Sequence, residues 1–201
     1  LNQNTSSTLT GFGDLNVTPV GLTWSQDHWD YTFYYGFTAP TGRYKTGADD
    51  NIGLGFWTHQ PQAFANYYPK VDQSTAYMLG LTYELNSKIK DEDFNPGNRF
   101  SLEYGISHYV TERLELGIIG GNNWQISDDK GSDVYWDPAV HDKKGTLAFS
   151  AGYWAWSERL QIVGKYGFDY GAVQRFKTNM FMLNVVFATN ALTGANKKNK
   201  T

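Results

Sequence analysis

Apolar and polar side chains alternate with a period of two along most of the chain, and helical periodicity is weak throughout. Successive side chains of a strand point to opposite faces, so each alternating run predicts a strand with one apolar face. The clearest run is 29–38. There Trp29, Tyr31, Phe33, Tyr35 and Phe37 share one face, and Asp30, Thr32, Gly36 and Thr38 the other, with Tyr34 the only large residue among them. At 75–86, Tyr77, Leu79, Leu81, Tyr83 and Leu85 oppose Ala76, Gly80, Thr82 and Glu84. The pattern recurs at 99–109, from Leu114, from Leu147, from Leu160 and at 177–188. Strands at about 11–24 and 51–68 are less regular. Pro19 and Pro61 each remove a ladder hydrogen bond, which predicts a bulge at both.

The nine predicted strands are joined by connections that alternate in length. Short turns fall at 25–28, 70–73, 110–113 and 156–158, and longer polar loops at 39–50, 87–97, 127–144 and 170–176. Short turns on one side and long loops on the other are how outer-membrane barrels are built. Splitting 51–68 at Pro61 would put every later long loop on the wrong side, so it reads as one strand. The fold class is therefore all-β, an antiparallel transmembrane β-barrel. Nine is odd, and bacterial single-chain barrels use even numbers. At least one further strand, upstream or from a partner, is expected, making a ten- or twelve-stranded barrel. The organisation reads as an external segment at 1–10, a barrel domain at 11–188 and a polar tail at 189–201.

Composition agrees. The 201 residues hold no cysteine, which removes disulfides and thiolate metal sites. The formal charge of −3 argues against a nucleic-acid partner. Mean hydropathy is −0.51, and no stretch approaches the ~20 apolar residues of a membrane helix. A barrel wall needs only every second residue to be apolar. The opening LNQNTSSTLT has neither a basic start nor an apolar run, so the sequence reads as a mature form or part of something longer. On the apolar parity, Trp29, Tyr31, Phe33, Tyr35, Phe37, Trp124 and Tyr153 are the expected lipid-facing or girdle residues, placing amphipathic rings near strand ends. Trp154 and Trp156 fall on the opposite parity; they plug a lumen mouth, or the register shifts by one.

The stretches NIGLGFWTHQPQAFANYY, AYMLGLTYELNSK and GNRFSLEYGISHYVTERLELGIIGGNNWQISDD, with GFGDLNVTPVGLTW and APTGRY, resemble a known family. It comprises the outer-membrane proteins named after the meta-cleavage pathway of phenol degradation. The resemblance runs over most of 11–188. It implies an outer-membrane channel, often supposed to pass aromatic or other hydrophobic compounds, with no catalytic residues to carry over. The tail ATNALTGANKKNKT departs from the pattern, since barrel chains commonly end on an aromatic residue.

Candidate chemistry lies on the polar parity. Asp30, Glu84, Glu103, Glu115, Lys165 and Asp169 are the expected lumen-lining charges. They either set a field in a pore or form a salt-bridge network. Carboxylates outnumber the lysine, so a field would prefer cations weakly. Met78, Met180 and Met182 share this parity, as space-filling or as an inner patch for an apolar solute. The loop DEDFNPGN places acidic residues as a calcium loop does, but Pro96 stands where glycine is required and Leu102 where glutamate is. SDDKGSD is similarly incomplete. His28, His59, His108 and His141 lack metal-ligand spacing, and there is no nucleophile elbow or phosphate loop. No metal, no cofactor and no enzymatic activity are expected. The expected partners are outer-membrane lipid and a small solute, and the pattern admits a homo-oligomer. The alternative functions are a closed structural barrel whose external loops bind a partner, and a soluble lipocalin-like binder.

Overall fold

A computed structural model describes residues 10–156 and 159–187. Among them are nine strands: β1 (Leu15–Ser25), β2 (Trp29–Ala39), β3 (Thr58–Tyr67), β4 (Thr75–Asn86), β5 (Arg99–Tyr109), β6 (Leu114–Gln125), β7 (Lys143–Trp156), β8 (Leu160–Val173) and β9 (Asn179–Phe187). They form one sheet in sequence order, every neighbour antiparallel. Among the described residues no helix is long and apolar enough to cross a membrane.

The sheet has almost no conventional core. Among the described residues the buried apolar ones are Ala39, Ala148 and, in the loop after β4, Ile89, and no large side chain is fully buried. One face instead presents a continuous apolar surface, with Leu79 50%, Phe149 52%, Phe181 73% and Leu183 62% exposed. Soluble monomers rarely expose contiguous apolar patches beyond a few hundred Å². The other face is concave, and side chains from β2 through β9 line one cavity across it. Among the described residues no strand pairs with the outer edge of β1 or of β9.

Three bulges interrupt the ladder. The first lies at Thr18 and Pro19, between the pairs Val17↔Phe37 and Val20↔Tyr35, as the proline predicts. The second sits on β8, where Gly171 takes a left-handed φ of 57°. The third places Ala155 outside the pairing between Trp154↔Gln161 and Trp156↔Leu160. It decides the two tryptophans. Trp154 stays on the concave face and donates from Nε1 to the Tyr109 hydroxyl at 3.1 Å. Trp156 turns outward with Leu160, and the Arg159 guanidinium lies 4.8 Å from its ring centroid. Strict parity over 143–156 puts both on one side and is corrected here.

Other boundaries move too. No bulge occurs at Pro61. It pairs with Tyr35, and the β3–β4 register is the same on both sides of it, from His59↔Leu85 to Gln62↔Thr82. Proline there removes one donor without inserting a residue. Strand β1 begins at Leu15, and Asp14 instead accepts from the Gly42 and Leu54 amides at 2.9 and 2.7 Å, holding the first loop. Residues 51–57 belong to that loop, which spans 40–57. Loops at 87–98 and 126–142 share its side of the sheet, opposite the connections at 26–28, 68–74 and 110–113. The fourth loop is shorter than expected, only 174–178, because β8 runs on to Val173 past its bulge. The tail at 189–201, residues 1–9 and most of the turn at 156–158 lie outside the described residues.

Candidate functional site

The concave face is layered along the strands. Its middle is a cavity of about 650 Å³. The wall there is apolar: Tyr34, Phe64, Met78, Ile119, Met180 and Met182. Thr32, Asn66 and Thr146 add polar points, and Glu103 and Lys165 are its charges. Register explains the composition. Met78, Gly105, Ile119, Ala148, Gly167 and Met180 form one unbroken row of register partners across six strands. Glycine makes room for the two large rings. A Cβ on Gly21 would come within 2.8 Å of the Tyr34 ring, and one on Gly80 within 2.6 Å of Phe64. Both rings therefore lie flat along the wall. They meet edge to face with centroids 6.0 Å apart.

Polar networks close both ends of this apolar zone. On the long-loop side Arg99 pairs with Asp142, its Nη1 at 2.7 Å from Oδ1, and donates to Asn123 at 2.8 Å. Arg175 reaches the same Asn123 at 2.9 Å. Beside them Asp169 accepts from Lys144 Nζ at 2.9 Å, Thr146 Oγ1 at 2.7 Å, and the amide and hydroxyl of Thr178 at 2.9 and 2.7 Å. Its side chain has no exposed surface although the wall is one sheet thick, because its own donors wrap it. On the short-turn side the Tyr68 hydroxyl donates to Asp30 at 2.8 Å, and Gln161 donates to Glu115 at 3.4 Å. Burial and the Asp30 bond push the Tyr68 phenol well above its ordinary pKa.

The six expected charges thus lie on one face but do not act alike. Asp30, Glu84, Glu115 and Asp169 each accept from a wall donor, Glu84 from Gln60 at 3.3 Å. Glu103 and Lys165 form no hydrogen bond or ion pair among the described residues and line the cavity together. The excess of carboxylates that suggested cation preference is therefore mostly taken up inside the wall, and one charge of each sign remains in the cavity. Sequence reading put Tyr34 on this face without singling it out, and missed Arg99 and Lys144 as wall residues. Arg99 opens the strand predicted at 99–109 on the parity of Ser101, and Lys144 continues the parity of Thr146 at the end of the predicted loop, so that signal was present. Asp142 and Arg175 come from loops and carried no such signal.

The convex face holds every residue expected against lipid. Near the short turns Trp29 stacks on Tyr31 at 5.5 Å and meets Tyr67 at 4.8 Å, and Tyr153 ends the same side of β7. Phe33 and Tyr35 stand between the two ends, Tyr35 bonded to His59 at 2.7 Å. Near the long loops Phe37 meets Trp57 at 5.8 Å, and Phe100 stacks on Trp124 at 6.1 Å.

The acidic loops fasten each other. Asp93 accepts from Lys88 at 2.7 Å and from the Ser132 amide and hydroxyl at 3.0 and 2.8 Å. Lys88 foremost, then Ser132, hold its carboxyl well below the usual range. Asp129 accepts from the Gly97 amide, Gln125 and Trp136 at 2.8, 2.9 and 2.8 Å. These carboxylates bind backbone and side-chain donors of the neighbouring loop, and no cluster of three metal-ligating residues occurs among the described residues. Tyr44 of the first loop donates to Glu92, and burial with that bond pushes its phenol up to about 12.

A family model described as the MetA-pathway of phenol degradation matches residues 1–185. No curated protein matches the chain. Among solved structures, an outer membrane channel from Pseudomonas putida F1 superposes with a TM-score of 0.71 over 86% of this chain, at 19% identity. The chain spans 64% of that channel's length.

Proposed function

The chain belongs to the phenol-degradation MetA-pathway family, whose model matches residues 1–185, and from that premise we propose that it forms the wall of an outer-membrane channel. The channel passes small apolar solutes, aromatic ones included, passively inward or outward. Lipid covers the convex face, with Trp29, Tyr31, Tyr67 and Tyr153 at one interface and Phe37, Trp57, Phe100 and Trp124 at the other. Further strands join the free edges of β1 and β9. An odd number of them closes the sheet with every pair antiparallel, since β1 and β9 run in the same direction. Asp30, Glu84, Glu103, Glu115, Lys165 and Asp169 then face the lumen. The role is non-enzymatic. The likeness to a solved outer membrane channel supports the reading.

One observation carries it: an apolar cavity of about 650 Å³ on the inner face of a sheet whose outer face is itself apolar. A structural barrel has no need of open space there. The test is solute flux into liposomes carrying the full-length protein. Benzyl alcohol should enter faster than in empty liposomes, and Met78→Trp should slow it by filling the cavity. Folded protein that passes neither benzyl alcohol nor ions would overturn the channel.

A second reading, an interaction barrel, is favoured by the crown of loops. Asn95 and Lys130 exchange both backbone bonds, at 2.7 and 3.0 Å, and Lys90 donates to Gly55 at 2.8 Å. Such a rigid external surface suits a protein partner. Deleting 128–139 would abolish partner capture in that case and leave flux intact in the first.

A further inference from the structure

We propose that Lys165 anchors the anionic end of a small aromatic acid inside the cavity; this deepens the channel reading and rests on it for how the solute arrives. Lys165 and Glu103 are the two charged residues of the cavity wall. Neither has a partner among the described residues, although every other charge expected on this face has one.

The two differ in surroundings. Lys165 is half-buried on β8. Its register neighbours are Ser150 on β7 and Met182 on β9. Gly167 and Met180 pair two residues further along the same strands. A half-buried ammonium beside a thioether and without a partner gains from an anion that pairs with it. Glu103 is exposed. Its row neighbours are Gly80 and Gly121, which leave its sides open to water. A hydrated carboxylate gains less from a cation. The preference is thus for a monoanion at Lys165.

The apolar part of that anion is specified by the same wall. Met78, Met180 and Met182 present polarisable thioethers, and Phe64 lies flat over Gly80. Thioethers favour aromatic rings, and a flat ring offers a stacking surface. Lys165 and Glu103 sit three strands apart and four residues out of row, since Glu103 shares its row with Gly121, Thr146 and Asp169; at ordinary strand spacing that is roughly 20 Å along the wall. A ring with one carboxylate fits at Lys165 while its far end stays clear of Glu103.

Calorimetry on the full-length protein in detergent tests the site without requiring transport. The probes are benzoate and benzyl alcohol. Benzoate should bind more tightly, and K165M should weaken it by about tenfold or more while leaving benzyl alcohol within twofold. K165R should keep most of the benzoate affinity, and E103Q should leave it within twofold. Benzoate binding that is absent, or that K165M leaves unchanged, overturns the proposal. Heat-modifiable migration on a detergent gel checks that each variant folds. Should benzoate bind through Lys165 in a protein that passes no solute, the inference stands and the channel reading falls.

Discussion

The two faces of this sheet solve the same problem in opposite ways. Every strand offers one set of side chains to each face, yet the convex set is satisfied by a surrounding medium and the concave set by named partners. On the convex face, Leu79, Leu81, Leu183 and Val185 need only an apolar neighbour of any shape. On the concave face Asp169 has four donors around it, and Tyr34 and Phe64 lie where glycine leaves space. Non-directional burial tolerates exchange among apolar residues; directional bonding and close packing do not. Charge therefore has opposite meanings on the two sides.

The largest test of that contrast exchanges neighbours on β4. Leu79→Arg puts a charge on the convex face and should cost about 2–4 kcal/mol in a bilayer, whereas Met78→Arg, one residue away on the concave face, should cost under about 1. Urea titration of folding into lipid vesicles reads both. Equal costs would mean the faces are not distinguished by lipid. Next comes Asp169→Ala, which leaves the Lys144 ammonium without its carboxylate and should lose about 2–3 kcal/mol in the same titration. Asp169→Asn should recover part of it, because the threonine donors keep an acceptor. Gly80→Val comes third. Its side chain meets the Phe64 ring, and displacing that ring should cost about 1–3 kcal/mol. Adding Phe64→Ala should relieve part of the loss.

The smallest effects belong to the loops. The Asp93 carboxyl is held below its ordinary value, so the contribution of its loop contacts is present above about pH 4 and lost as pH falls through the lowered value. Protease cleavage at 88–98 should rise in acid, and Asp93→Asn should cleave similarly at all pH. Tyr44 has the opposite sign. Its phenol titrates at about 12, so its bond to Glu92 persists below the ordinary value of about 10 and is lost as pH rises through 12. Its absorbance at 295 nm should appear later in an alkaline titration than in Tyr44→Phe subtracted spectra of the exposed tyrosines.

Period-two alternation by itself marked seven of the nine strands and the face of almost every residue in them, because a strand's geometry forces successive side chains to opposite sides, and the connection lengths pointed to antiparallel neighbours. The aromatic convex face could be read directly from Trp29 through Phe37, and the six polar-parity charges all fall on the concave face. Tertiary structure alone decided three things. It placed the Ala155 bulge that turns Trp156 outward, a one-residue event that alternation cannot distinguish from an error of register. It decided which charges are neutralised, since Asp142 and Arg175 reach the wall from loops far apart in sequence. And it made the cavity, because Tyr34 and Phe64 pack flat only against glycines on neighbouring strands, a relation across the sheet that no single strand records.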